Sequence, residues 1–194
     1  DQSGYRTLYT YDDNDNLTSI IDRIGWAVTH STDDYYMDLR ESLGYSRSLA
    51  LLSPGDITAL EALYTRSFTY DSRGNLLTSE DHEHHITSMT YTDFNAVASL
   101  TRAEGHAMVT ENIDHLQDVR IRLGYSRMAE DLSDTERVAI LDLYTTRYEY
   151  DDRQNLIRQI YPGGDVVHFE YDDSVNRTRQ TVDRESTRPN SIHC

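Results

Sequence analysis

The chain has 194 residues, a formal net charge of −16, 37% hydrophobic residues and a single cysteine, Cys194. A surface this acidic repels phosphate backbones and anionic lipid, so no nucleic-acid partner is expected. No apolar run approaches the ~20 residues of a membrane helix, and no membrane insertion is expected either. One thiol makes no internal disulfide, which leaves burial and hydrogen bonding to hold the fold. The opening Asp1-Gln2-Ser3-Gly4-Tyr5 lacks the basic-then-apolar pattern of a signal peptide.

In chain order, strands are expected near residues 7–11 and 17–21, around the turn-rich run Asp12-Asp13-Asn14-Asp15-Asn16. A weaker helix follows from about Asp34 to Ser42, with Gly44 as its stop signal. Ser53-Pro54-Gly55-Asp56 combines an N-cap, a proline at the first helical position and an acid three residues on, predicting a helix near 54–65. Ile57, Leu60, Leu63 and Tyr64 then fall at helical spacing. Phe68 and Tyr70 switch the period to two, and strands are expected near 66–70, 76–80 and 86–91. The same order returns: a weak helix from Asp114 to Arg122 before Gly124, a capping box Ser133 to Glu136, a helix near 134–145, and strands near 146–150, 156–160 and 167–171. Arg184 to Cys194 loses the pattern and reads as a tail.

That return is a duplication. At an offset of about 80 residues, about 30 of roughly 114 aligned positions are identical without a gap. Leu43-Gly44-Tyr45-Ser46-Arg47 recurs as Leu123-Gly124-Tyr125-Ser126-Arg127, and Leu63-Tyr64-Thr65 as Leu143-Tyr144-Thr145. A shorter phrase lies inside the long one: aromatic, any residue, Tyr, Asp, two variable residues, a turn residue, then usually Asn-Leu. Its copies are Tyr11-Asp12 with Asn16-Leu17, Tyr70-Asp71 with Gly74-Asn75-Leu76, Tyr150-Asp151 with Asn155-Leu156, and Tyr171-Asp172 with Asn176. A degenerate copy begins at Tyr91. Alternating aromatics, a turn cluster and a return strand make the phrase a β-hairpin. At the Gly74 position the other copies carry Asp15, Asn95, Gln154 and Val175. Valine resists a left-handed backbone, so a different turn is expected at Val175.

The fold expected is mainly β with helical insertions: antiparallel hairpins laid into a sheet or solenoid. The repeat region covers 1–183, with hairpins near 5–31, 66–110 and 146–183, helical insertions near 33–65 and 113–145, and the tail at 184–194.

The phrase Tyr70-Asp71-x-x-Gly74-Asn75-Leu76 and its copies resemble the YD repeat of the Rhs family, which includes Rhs toxins, the B and C components of Tc toxins, and teneurins. The resemblance covers the strand segments, somewhat over half the chain. It implies a segment of a hollow β-shell enclosing a toxin or other cargo, secreted or at a cell surface, with neighbouring repeats as partners. The chain is too short to close such a shell and lacks the Asp-Pro-x-Gly type core of self-cleaving members. Pro54, Pro162 and Pro189 stand in other contexts, so autoproteolysis does not carry over.

Two clusters have metal-like composition. Asp81-His82-Glu83-His84-His85 offers zinc-type ligands, with His82, His84 and His85 as candidates. The sister unit builds this turn as Tyr161-Pro162-Gly163-Gly164-Asp165, without ligands, which favours a solvated turn. Asp12 and Asp15 sit in a calcium-like run, but Leu17-Thr18-Ser19-Ile20 follows where an EF-hand needs its glycine and closing glutamate. No nucleophile elbow, phosphate loop or His-Glu-x-x-His occurs. The expectation is therefore a non-catalytic structural segment needing no cofactor. The alternatives are a carbohydrate- or protein-binding module, for which exposed tyrosines would supply the surface, and, with least support, a metal-dependent enzyme.

Overall fold

The structure is a computed structural model describing residues 4–184. It divides into two compact units, 1–86 and 87–194.

The first unit begins with the hairpin β1 (Leu8–Tyr11) and β2 (Leu17–Ile21). Three helices follow: α1 (Arg23–His30), α2 (Asp34–Ser42) and α3 (Pro54–Ala62), with a short 3-10 turn at Leu49–Leu51. The chain then returns to the sheet as β3 (Thr65–Tyr70) and β4 (Leu76–Glu80). All pairing is antiparallel, in the order β1-β2-β3-β4. The helical excursion thus ends beside the strand it left, with Ser19 opposite Ser67 and Ile21 opposite Thr65.

The second unit carries β5 (Ile86–Tyr91) and β6 (Val97–Thr101), then α4 (Ala103–Thr110), α5 (Asp114–Arg122) and α6 (Asp134–Asp142). It ends with β7 (Thr145–Tyr150), β8 (Leu156–Ile160), β9 (Val166–Tyr171) and β10 (Arg177–Asp183). The sheet order again follows the chain, β5-β6-β7-β8-β9-β10, antiparallel throughout.

Helices α1 and α4 correct the expected hairpin limits: residues 23–30 and 103–110 are helical, so the hairpins assigned near 5–31 and 66–110 end at Ile21 and Thr101. These helices are one face of each unit's core. Ala27 and Val28 of α1 pack with Leu60 of α3, all fully buried. In the second unit Met108, Val109, Leu132 and Ile140 form the cluster, flanked by Leu116, Tyr125 and Tyr144.

Close approach is set by glycine. A Cβ at Gly25 would lie 2.6 Å from the Cβ of Tyr64, and one at Gly105 would lie 2.7 Å from that of Tyr144. The recurrent Leu-Tyr-Thr is the other half of the contact. The Tyr64 carbonyl accepts the Asp22 N–H at 3.3 Å, and Tyr144 accepts Arg102 at 3.1 Å. The Thr65 and Thr145 hydroxyls donate to the Glu61 and Leu141 carbonyls, closing the ends of α3 and α6.

Nearly every strand position is half-buried, on both pleat faces, in β2, β4, β6 and β8. Tyr70 and Tyr150 are likewise half-buried rather than enclosed.

Candidate functional site

The Asp of each phrase ties its own turn. Asp12 Oδ1 accepts the backbone N–H groups of Asn14 and Asn16, each at 2.9 Å, while Oδ2 accepts the Asn16 side-chain amide at 3.0 Å. The same three bonds recur from Asp71 to Arg73 and Asn75, and from Asp151 to Arg153 and Asn155. Asp172 repeats them with Ser174 and Asn176. This spacing works because an Asx turn bonds two and four residues ahead while the residue between them turns left-handed. Asp15, Gly74, Asn95, Gln154 and Val175 all have φ between 62° and 82°. Val175 therefore takes the common turn after all. The Asp172 network and the backbone bond from Val175 N–H to the Asp172 carbonyl impose it on a β-branched residue. The carboxyls of Asp12, Asp71 and Asp151 are held below the usual carboxylate range, chiefly by the Asn side-chain amide, and that of Asp172 chiefly by the Asn176 N–H.

In three of the phrases the Tyr ties one hairpin to the one before it. The Tyr70 hydroxyl donates to the Leu17 carbonyl at 2.9 Å, Tyr150 to Val97 at 2.8 Å and Tyr171 to Leu156 at 3.0 Å. Each acceptor is the residue directly after the preceding turn. The phrase therefore specifies a rung: Asp-Asn shapes a turn so that the next residue's carbonyl meets the following tyrosine. Phe94 adds an edge-on ring contact to Tyr150 at 5.4 Å.

The Leu-Gly-Tyr-Ser-Arg repeat serves a buried cation. Arg40 and Arg120 are both 0% exposed. Arg40 Nη1 donates to the carbonyls of Val28 and Ser31 at the C-terminal end of α1, and Nε and Nη2 donate to the Arg47 carbonyl. Arg120 Nη1 likewise donates to the carbonyls of Met108 and Glu111 and its Nε to that of Arg127, while its Nη2 donates to Asn112 Oδ1 instead. A guanidinium suits this place because the helix end presents unpaired carbonyls and partial negative charge. Gly44 and Gly124, at φ 84° and 86°, turn the chain back so that the Arg47 and Arg127 carbonyls face the guanidinium. Burial lowers the pKa of both arginines. The repeated pentapeptide is visible in the sequence, whereas the arginine it serves is not. The invariant offset pairs Arg40 with Arg120 and Gly25 with Gly105, and that was the available signal.

The histidine-rich turn does not gather its three histidines. His84, at φ 66°, bonds Glu80 at 2.6 Å, and His82 lies with Ile20, Asp22, Tyr64 and Arg66. Among the described residues of this turn, His85 alone has two carboxylates beside it, those of Asp81 and Glu83. Asp81 is already the Asx residue of that turn, accepting from Glu83 and His85 backbone groups at 2.9 and 3.0 Å. His85 Nδ1, 3.2 Å from Asp81 Oδ2, takes the role of the motif asparagine. Burial raises the Asp81 pKa, but the N–H groups of His85 and Glu83 outweigh it and leave it lowered. Asp12 is committed to the first turn as described, and Asp15 is that turn's left-handed residue. Ser67, Glu80 and His84 do form a chain, with Ser67 Oγ 3.3 Å from Glu80. The glutamate lies between the serine and the histidine, so the imidazole does not reach the hydroxyl it would have to deprotonate.

No described helix is long and apolar enough to cross a membrane. No family model matches the chain, and no curated protein matches it. Among solved structures, a chain of the crystal structure of TcdB2-TccC3-Cdc42 is similar over 94% of this chain at 12% identity, with a TM-score of 0.21. The matched region spans 10% of that chain's length.

Proposed function

We propose that the chain is a non-catalytic structural segment, a run of YD-type hairpins whose partners are further hairpins of the same kind. The observation that carries this reading is the tyrosine-to-carbonyl rung. It is a bond between successive hairpins rather than within one, and it repeats at Tyr70, Tyr150 and Tyr171. An element that recurs to join neighbours is what a modular wall requires. As part of a longer wall the segment would enclose cargo, a toxin being the kind that the Rhs resemblance suggests, outside the cell or at its surface.

Sedimentation velocity over a series of salt and protein concentrations tests it. A wall segment associates through its outer strands as salt screens the acidic surface. A monomer under every condition overturns the reading. It would favour instead a self-contained binding module presenting Tyr9, Tyr11 and Tyr35, which are exposed. Retention on a glycan array would identify that alternative directly.

A further inference from the structure

We infer that the turn after β4 is a zinc site built from Asp81, Glu83 and His85. One carboxylate oxygen from each acid and one imidazole nitrogen lie within 4.8 Å of one another, and no other such group of three comes together among the described residues.

The sister turns show how the site arises. At Asp12, Asp71, Asp151 and Asp172 the aspartate Oδ1 accepts two backbone N–H groups. Oδ2 accepts the side-chain amide of an asparagine four residues on. Asp81 Oδ1 likewise takes the N–H groups of Glu83 and His85. Its Oδ2 faces an imidazole nitrogen instead of an amide, His85 Nδ1 at 3.2 Å. Two residues after the aspartate the sister turns carry Asn14, Arg73, Arg153 or Ser174, where this turn carries Glu83. The Glu83 Oε2 lies 3.5 Å from the same Nδ1. Two departures from the phrase thus bring three ligand-type atoms to one point.

Their spacing suits zinc. A tetrahedral ion with bonds of about 2.0–2.1 Å sets neighbouring ligand atoms about 3.3 Å apart. The two separations measured from Nδ1 match two edges of that tetrahedron, and Glu83, 65% exposed, has room to close the third. The backbone N–H groups on Asp81 Oδ1 orient the carboxylate while leaving Oδ2 to ligate, the kind of outer support that ligating carboxylates use. Asp81 and His85 are 39% and 43% exposed, so an ion reaches them from solvent. An imidazole with two carboxylates favours zinc over calcium, which takes six to eight oxygens. The matching turn of the second unit, Tyr161-Pro162-Gly163-Gly164-Asp165, needs no such side chains. Zinc therefore binds a turn that forms without it.

The test is a titration of the full chain with zinc chloride, followed by the NMR signals of the histidine rings. The chain carries Cys194→Ser, which removes the one thiol. The His85 ring should shift saturably, ahead of His82 and His84. His85→Asn reinstates the asparagine of the sister turns, so it should keep the turn and weaken zinc binding by at least about tenfold. His82→Ala/His84→Gly should leave the affinity unchanged, since glycine suits the φ of 66° at that position. Excess calcium chloride should not displace the zinc. A His85 ring that does not saturate overturns the proposal, as does an affinity that His85→Asn leaves intact. Loss of binding in His82→Ala/His84→Gly would assign the ion to the other two histidines and overturn it too. Displacement by calcium would reduce the effect to general attraction of cations to an acidic surface, which equally refutes a zinc site.

Discussion

Val175 occupies, at φ 65°, the position that Gly74 and Asn95 fill in sister turns. A β-branched residue there costs about 1–2 kcal/mol, and its side chain, 53% exposed, has little packing to lose. Val175→Asn should stabilise the last hairpin by about 1 kcal/mol. Slower amide exchange across β9 and β10 would show it, and an unchanged rate would mean that the turn relaxes the strain. The Asp residues of the same turns predict a pH dependence. Their folded pKa values are lowered, so their contribution is complete above the ordinary carboxylate value of about 4 and is lost as pH falls through the folded values. Urea midpoints should therefore drop on acidification below about pH 4, and drop less steeply in Asp71→Asn/Asp151→Asn. Equal slopes in the two proteins would remove the turn carboxylates from the acid transition.

At the scale of elements, the helix-to-strand contacts rest on two glycines that look ordinary in sequence. Gly25→Ala or Gly105→Ala forces a methyl into the Cβ of Tyr64 or Tyr144 and should cost about 1–3 kcal/mol. Gly55→Ala, whose new Cβ would meet nothing closer than the Ser53 hydroxyl at 3.6 Å, should be neutral or stabilising by up to about 1 kcal/mol. Thermal melts of the three variants separate close packing from helix propensity. The same contrast explains what the sequence disclosed. Capping boxes at Ser53 and Ser133 and the alternation around Tyr70 and Tyr150 are local signals, and the helices and strands they announce are present. Helices α1 and α4 were hidden because each is only eight residues long and carries a glycine, Gly25 or Gly105, in place of a helix-forming residue. Their stability comes from partners 30–40 residues away rather than from their own period. The motif tyrosines were legible as strand residues, but not as donors to the previous hairpin, since no local pattern encodes a carbonyl's direction.

For the whole molecule, the decisive places are the first and last described strands. β1 pairs only with β2 among the described residues, and all four of its residues are exposed. Tyr11 has the motif's place, no hairpin precedes it among the described residues, and it is 57% exposed. In β10, Arg177 stands opposite Tyr171 as Leu17 stands opposite Tyr11 and Leu156 opposite Tyr150. One edge therefore offers the hydroxyl of a rung and the other its carbonyl, which makes them complementary to each other rather than to themselves. Such a contact is heterologous and open-ended, so it should give a distribution of oligomers instead of a discrete dimer. The net charge opposes association at low salt, and a screening length of about 8 Å at physiological ionic strength removes most of that opposition without weakening backbone pairing at contact distance. Tyr11→Phe deletes one donor from an exposed ring. It should leave the circular dichroism spectrum unchanged while weakening association by about 1 kcal/mol per contact, about fivefold. Two proline substitutions, Thr10→Pro in β1 and Thr181→Pro in β10, should each abolish it, and their mixture should not restore long oligomers. A dimer that persists in both proline variants would place the contact elsewhere on the surface and remove the edge strands from the assembly.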